Sequence, residues 1–215
     1  MEEIVRRNTV GGALLAAAIV LLAGCQAGAG DPEPTLTDPA PDVVPVEQEE
    51  PVAEEFVQIE GMGERIAVVR FQAPLEYPKD FLTVVPTDMV VDYATSGAGD
   101  VIRFEADFGG IRRPDAALSF TVLPEGTEPQ EARATAIEIA REHGGTRHSP
   151  PLRSWALEEW QIAPAGFLAL AHHGHRWFLF VASYPPEFED GMAPRIELIL
   201  RRWTFIDGTR LMDLE

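Results

Sequence analysis

The chain has a single cysteine, Cys25, so no disulfide can close within it. Positive charge is scarce: 17 Lys and Arg against 35 Asp and Glu give a formal net charge of −18. That balance excludes the basic patch on which nucleic-acid binding depends. It equally excludes an electrostatic grip on anionic lipid headgroups. The acidity serves solubility or suits a salty medium, and composition leaves both readings open. No apolar run reaches the ~20 residues of a spanning helix. The Gly-x-Ser-x-Gly elbow, the Gly-Lys-Ser/Thr phosphate loop and the His-Glu-x-x-His zinc motif are all missing. These absences lower the expectation of catalysis without excluding a site assembled from distant positions.

What is present begins at the amino terminus. Arg6 and Arg7 precede an apolar run from Val10 to Ala23, and small residues close it at Ala23 and Gly24. A short positive region, an apolar core and small residues at a cut form the plan of a secretory signal. Cys25 follows at once, and two roles remain for it: a buried structural thiol or an attachment point. Leu22-Ala23-Gly24-Cys25 resembles the lipobox of bacterial lipoproteins. The resemblance implies cleavage before Cys25, covalent lipid on its sulfur and a membrane anchor, with residues 1–24 removed. Two or more acyl chains anchor stably, at ~0.8 kcal/mol for each buried CH₂. Gln26 stands where an aspartate would retain such a protein in the inner membrane, which leans towards the outer membrane, facing the periplasm.

Residues 25–55 read as a linker. Pro32, Pro34, Pro39, Pro41, Pro45 and Pro51 fall here, and no aromatic residue does. Residues 31–60 hold ten acids and no base. Such a segment buries too little apolar surface to offset its ordering entropy, and proline and like charge extend it. Residues 56–215 then form one domain, long enough for a sizeable core.

Within it, Arg65 to Phe71 and Phe81 to Val85 have the β-branched and aromatic content of strands. Met89 to Ala94 and Val101 to Phe108 flank a glycine-rich turn at residues 96–100 and read as a hairpin, with Val101, Phe104, Ala106 and Phe108 as core. Gly109 to Pro114 reads as a loop and Ala116 to Val122 as a strand. Thr127 and Gln130 have capping-box spacing. A helix follows, with Ala132, Ala136, Ile139 and Ala140 on one face and Gly144-Gly145 as its stop. Phe167 to His172 and His175 to Tyr184 form a hairpin about His173-Gly174, with Leu170 opposite Trp177 and Leu168 opposite Leu179. Both faces of that pair are apolar, which places it inside a sheet covered on each side. A second helix opens near Pro194, with Ile196, Ile199, Leu200 and Trp203 at helical spacing.

The order of these elements resembles the PsbP-like family. The echoes are Ala116 to Val122 running into a long helix, the hairpin from Gly166 to Ser183, and Pro185-Pro186-Glu187 leading to the helix at residues 196–200. The resemblance implies an α+β fold, a mainly antiparallel sheet covered by helices on both faces. It also implies an accessory or binding domain, and it supplies no catalytic residues.

His172-His173-Gly174-His175 is the most suggestive cluster. Facing imidazoles at His172 and His175 would make a divalent-metal pair, whereas an ordinary solvated turn needs no metal. His143 and His148 flank the helix end, where capping or exposure accounts for them. Glu158 and Glu159 lie between Trp155 and Trp160. Neighbouring carboxylates on a strand point to opposite faces, a poor arrangement for an acid–base pair; an aromatic–acid groove for glycan and simple packing both remain. The functional expectation is a lipid-anchored envelope protein that binds an envelope protein or small ligand. It has no cofactor beyond the lipid on Cys25. The alternatives are a metal-dependent hydrolase centred on His172 and His175, or a peptidoglycan-associated spacer.

Overall fold

The strands apolar on both faces occupy the middle of the larger of two sheets. This computed structural model describes residues 53–59, 61–96 and 99–214. The expected signal segment, Cys25 and the linker up to Val52 lie outside the described residues, as do Gly97 and Ala98 of the glycine-rich turn. In chain order the elements are β1 (Ala53–Ile59), β2 (Met62–Gln72), β3 (Phe81–Pro86), β4 (Met89–Ser96), β5 (Gly99–Phe108), β6 (Ile111–Val122), α1 (Pro129–Glu142), β7 (Thr146–His148), β8 (Glu158–Gln161), β9 (Ala165–His173), β10 (Arg176–Tyr184), α2 (Glu189–Arg201) and β11 (Thr204–Phe205). One sheet has four strands in the order β1-β2-β3-β11, and the other has seven in the order β4-β5-β6-β10-β9-β8-β7. Their pairings are antiparallel.

This corrects the expected fold class. A sheet with helices on both faces, the sandwich that the PsbP-like resemblance implied, is not what the chain forms. The described residues contain two α-helices, and β-structure dominates. On one face of the large sheet, Phe104, Phe120, Phe178 and Phe180 pack with Val69, Phe71, Phe81 and Val85 of the smaller sheet and with Ile196, Ile199 and Leu200 of α2. A second sheet thus does much of the work assigned to a helix. On the opposite face α1 lies over β8, β9 and β10. Beyond its reach Asp92, Arg103, Glu105 and Arg112 form an ion network on β4, β5 and β6.

Of the three buried apolar clusters among the described residues, the two larger follow from residue size. Three buried alanines (Ala132, Ala136 and Ala140) face Leu168, Leu170 and Leu179, and their small side chains let the α1 backbone approach the sheet closely. The other core is aromatic. Trp203 lies 3.8 Å from Phe81, ring centre to ring centre, with planes 12° apart. Phe104, Phe120 and Phe180 meet the same indole edge-on. Such pairs add about 1 kcal/mol each beyond the area they bury.

Several local readings shift. The core side of β5 is Ile102, Phe104 and Ala106, all fully buried, while Val101 and Phe108 are half-buried. Residues 111–114 are strand, not loop. Pro114, which has no N–H to donate, sits beside the register shift between Glu105 and Ala106. Thr127 forms no capping box: its hydroxyl donates to the Pro124 carbonyl at 2.7 Å, and Glu128 is the N-cap without a side-chain bond. Helix α2 opens at Glu189, so Pro194 is interior to it and Trp203 lies beyond its end. Glu189 and Asp190 in the first turn suit the positive end of the helix dipole. Strand β1 starts at Ala53, three residues into the expected linker.

The central hairpin keeps its expected faces with a slipped register. Leu170 is opposite Leu179, and the turn is Gly174-His175. Its far end depends on Gly166, where φ is +129° and a Cβ would lie 1.9 Å from the Ala182 carbonyl oxygen. Backbone cannot yield there without breaking the β9–β10 ladder. Gly166→Ala is expected to destabilise the domain by about 2 kcal/mol or more, read as a lowered urea midpoint; an unchanged midpoint would refute this account.

Candidate functional site

The hairpin tip carries the histidine cluster, and the slipped register decides its geometry. His172 is opposite Trp177, His173 is opposite Arg176, and His175 sits in the turn. The facing pair of His172 and His175 is therefore not formed. Alternation along β9 sends His172 and His173 to opposite faces of the sheet. His172 packs its ring against Trp177, 4.6 Å between centres. Partial burial first, then the neighbouring His173 and His175, hold its pKa below the ordinary imidazole range. His173 stacks on Phe205 at 4.4 Å and 18°, and its Nε2 lies 2.7 Å from Asp207 Oδ2. Among the described residues no three His, Cys, Asp or Glu side chains form a set that could hold a metal ion. The hydrolase alternative needs converging rings and a third ligand; the ladder does not set His172 opposite His175.

Asp207 closes this end of the molecule. The Thr209 backbone N–H donates to it at 3.0 Å. That bond first, and His173 second, lower its pKa to about 2. The contact ties the hairpin tip to the segment after β11.

Glu158 and Glu159 of β8 are buried, at 2 % and 0 % exposure, and do point to opposite faces. Each is held by arginine, as buried carboxylates must be. Glu159 accepts from the backbone N–H groups of Leu152 and Arg153, both at 2.8 Å, and pairs with the Arg153 guanidinium. Arg153 lies 3.5 Å over the Phe167 ring and reaches Glu197 of α2 at 2.8 Å. With every neighbour accounted for, Glu159 is a structural knot joining β8 to α2. Trp155 and Trp160 are buried packing residues, at 3 % and 4 %.

Glu158 belongs to a different setting. On the α1 face it pairs with Arg133 of α1 and, at 3.1 Å, with Arg147 of β7. Its Oε2 accepts no well-aligned hydrogen bond. This carboxylate lies in a cleft of about 310 Å³ between the first turn of α1 and strands β8 to β10. Gln130 and Arg133 form one side, and Leu157, Leu170 and Trp177 form the other. His172 touches Trp177, but neither His172 nor His175 lines the cleft. Of the four tryptophans, Trp177 alone is not buried. Gln130, Arg133 and Trp177 were not legible as site residues. A tryptophan ending an apolar alternation beside a turn was the one available signal.

Compared with protein-family models, with curated proteins and with solved structures, the chain has no match.

Two outcomes follow from this geometry. Arg153→Ala strips the buried Glu159 of its countercharge and should cost about 3 kcal/mol, measured by urea unfolding; a loss below about 1 kcal/mol would contradict the knot. Asp207 has a folded pKa below its unfolded value, so its contribution is complete above about pH 4 and fades as pH falls through 2. Asp207→Asn should therefore lower the melting temperature at pH 7, with the gap to wild type narrowing steadily below pH 4. A gap independent of pH would show that the charge plays no part.

Proposed function

We propose that the chain is a lipid-anchored envelope protein whose folded domain is a binding module on the periplasmic side, tethered to the outer membrane. The observation that carries the reading is Leu22-Ala23-Gly24-Cys25 at the end of the apolar run. Acyl chains on a cysteine anchor by burial of CH₂ groups, a mechanism indifferent to the net negative charge of the chain. Between Cys25 and the first residue of β1 lie 27 residues rich in proline and acid. A chain of that length spans about 30 Å even as a flexible coil, which lets the domain work away from the bilayer surface.

The binding half of the proposal draws support from the cleft beside α1. It joins apolar walls to a few convergent polar groups, the usual composition of a small-ligand site. An envelope protein or a small ligand is the expected partner. Nucleic acid is not, given the scarcity of positive charge.

Mass spectrometry of natively expressed protein tests the anchor. The expected product begins at Cys25 and carries diacylglycerol, and it sediments with membranes. Cys25→Ala should leave an uncut precursor or a released soluble form. Native material with Met1 intact and a bare thiol would overturn the proposal.

A further inference from the structure

The cleft at the start of α1 has an unusual balance of groups, and that balance limits what can enter it. Its wall includes Glu158, a residue 2 % exposed whose Oε2 is sealed from solvent 3.1 Å from Arg147. Arg133 and Arg147, which neutralise this carboxylate, keep side-chain exposures of 60 % and 55 %. Gln130 is exposed on the lip and offers both an acceptor oxygen and a donor NH₂. The opposite wall is apolar, with Leu157 44 % exposed and the Trp177 indole braced from behind by the His172 ring.

Charge sorts the ligands. An ammonium group would meet two guanidiniums already committed to the single carboxylate. An anion would approach past Glu128 and Glu131, exposed at the start of α1, while the nearby Glu125 is paired with Arg176. A neutral ligand avoids both conflicts. It must bring several groups that each donate and accept, because Arg133 only donates and Gln130 does both. It must also have a flat apolar face for the indole, whose amphipathic ring favours ligands with one apolar and one hydrated side. A sugar ring has that constitution, with C–H groups on its face and hydroxyls at its rim. The volume, about 310 Å³, lies at the lower end of small-ligand sites, roughly 300–1,000 Å³.

We propose that this cleft binds a neutral saccharide, one ring stacked on Trp177 with its hydroxyls bonded to Arg133 and Gln130. The inference rests on the binding-module reading and is independent of the anchor. It gives that module a ligand class: neutral glycan of the kind an envelope domain would meet.

The test uses the full chain in a non-glycosidic detergent, titrated separately with maltose, cellobiose and the β-1,4 disaccharide of N-acetylglucosamine. Trp155, Trp160 and Trp203 are buried, so a change in intrinsic fluorescence reports on Trp177, and calorimetry gives the affinity independently. At least one sugar is expected to bind saturably, with millimolar or tighter Kd. Trp177→Phe should remove the fluorescence response. Gln130→Ala, at an exposed position, should weaken binding about fivefold with the melting temperature unchanged. Arg133→Ala should weaken it by about as much while also lowering the melting temperature, because it takes a countercharge from the buried Glu158. The proposal is overturned if no sugar gives a saturable response up to about 50 mM, far above millimolar affinity. It is also overturned if glucuronate or glucosamine binds more than tenfold tighter than glucose, or if both substitutions leave affinity unaltered. A protein partner crosslinked in membranes, with no sugar response, would refute this inference and leave the binding module standing.

Discussion

The stack of Trp203 on Phe81 is the contact on which the architecture depends. Trp203 follows α2, Phe81 opens β3 of the small sheet, and Phe104, Phe120 and Phe180 close around them from the large sheet. Elements far apart in sequence thus share one aromatic cluster. Thr83, on the same face of β3 as Phe81, donates to the Ile199 carbonyl at 2.6 Å and ties β3 to α2. With α2 and the small sheet joined in this way, they cover the inner face of the large sheet as one layer. The hairpin of β9 and β10 is then buried on both faces, and its tip is held where β11 and Asp207 can reach it.

Two adjacent carboxylates on one strand sit in different settings. Glu159 faces the aromatic core, where two backbone N–H groups and Arg153 saturate it. Glu158 faces α1, where its arginines remain open to solvent and one oxygen lacks an aligned donor. The difference comes from the layers. A sheet and a helix together seal one face, whereas the single helix α1 covers part of the other and leaves a cleft at its first turn. The cleft lies where coverage stops.

Much of the strand order was legible because alternation of apolar residues is a local signal. The two apolar faces of Phe167–Tyr184 placed that pair in the centre of a sheet, and the alanine stripe marked the face by which α1 meets it. Register was less accessible. A shift of the turn by one residue keeps every side chain on its face, so the pattern cannot distinguish the alternatives, yet it separates His172 from His175. The fold class failed for a related reason: strands β2 and β3 were readable, but nothing local says that they form a second sheet rather than an edge of the first. Pro114 and Pro194 misled because proline marks a bulge or a helix interior as readily as an end when neighbouring contacts compensate for the missing N–H.

By itself the sequence determined the charge balance, the lone thiol within Leu22-Ala23-Gly24-Cys25, the composition of the segment before the domain, and which strands have two apolar faces. These are properties of composition and short-range order, and no partner elsewhere in the chain is needed to read them. Tertiary structure alone decided that a second sheet covers the first, that Glu158 and Glu159 enter separate networks, and that Gln130, Arg133 and Trp177 meet around a cleft. Those residues come from separate elements, and the contacts that assemble them depend on sheet register and layer packing, quantities that no local window of sequence contains.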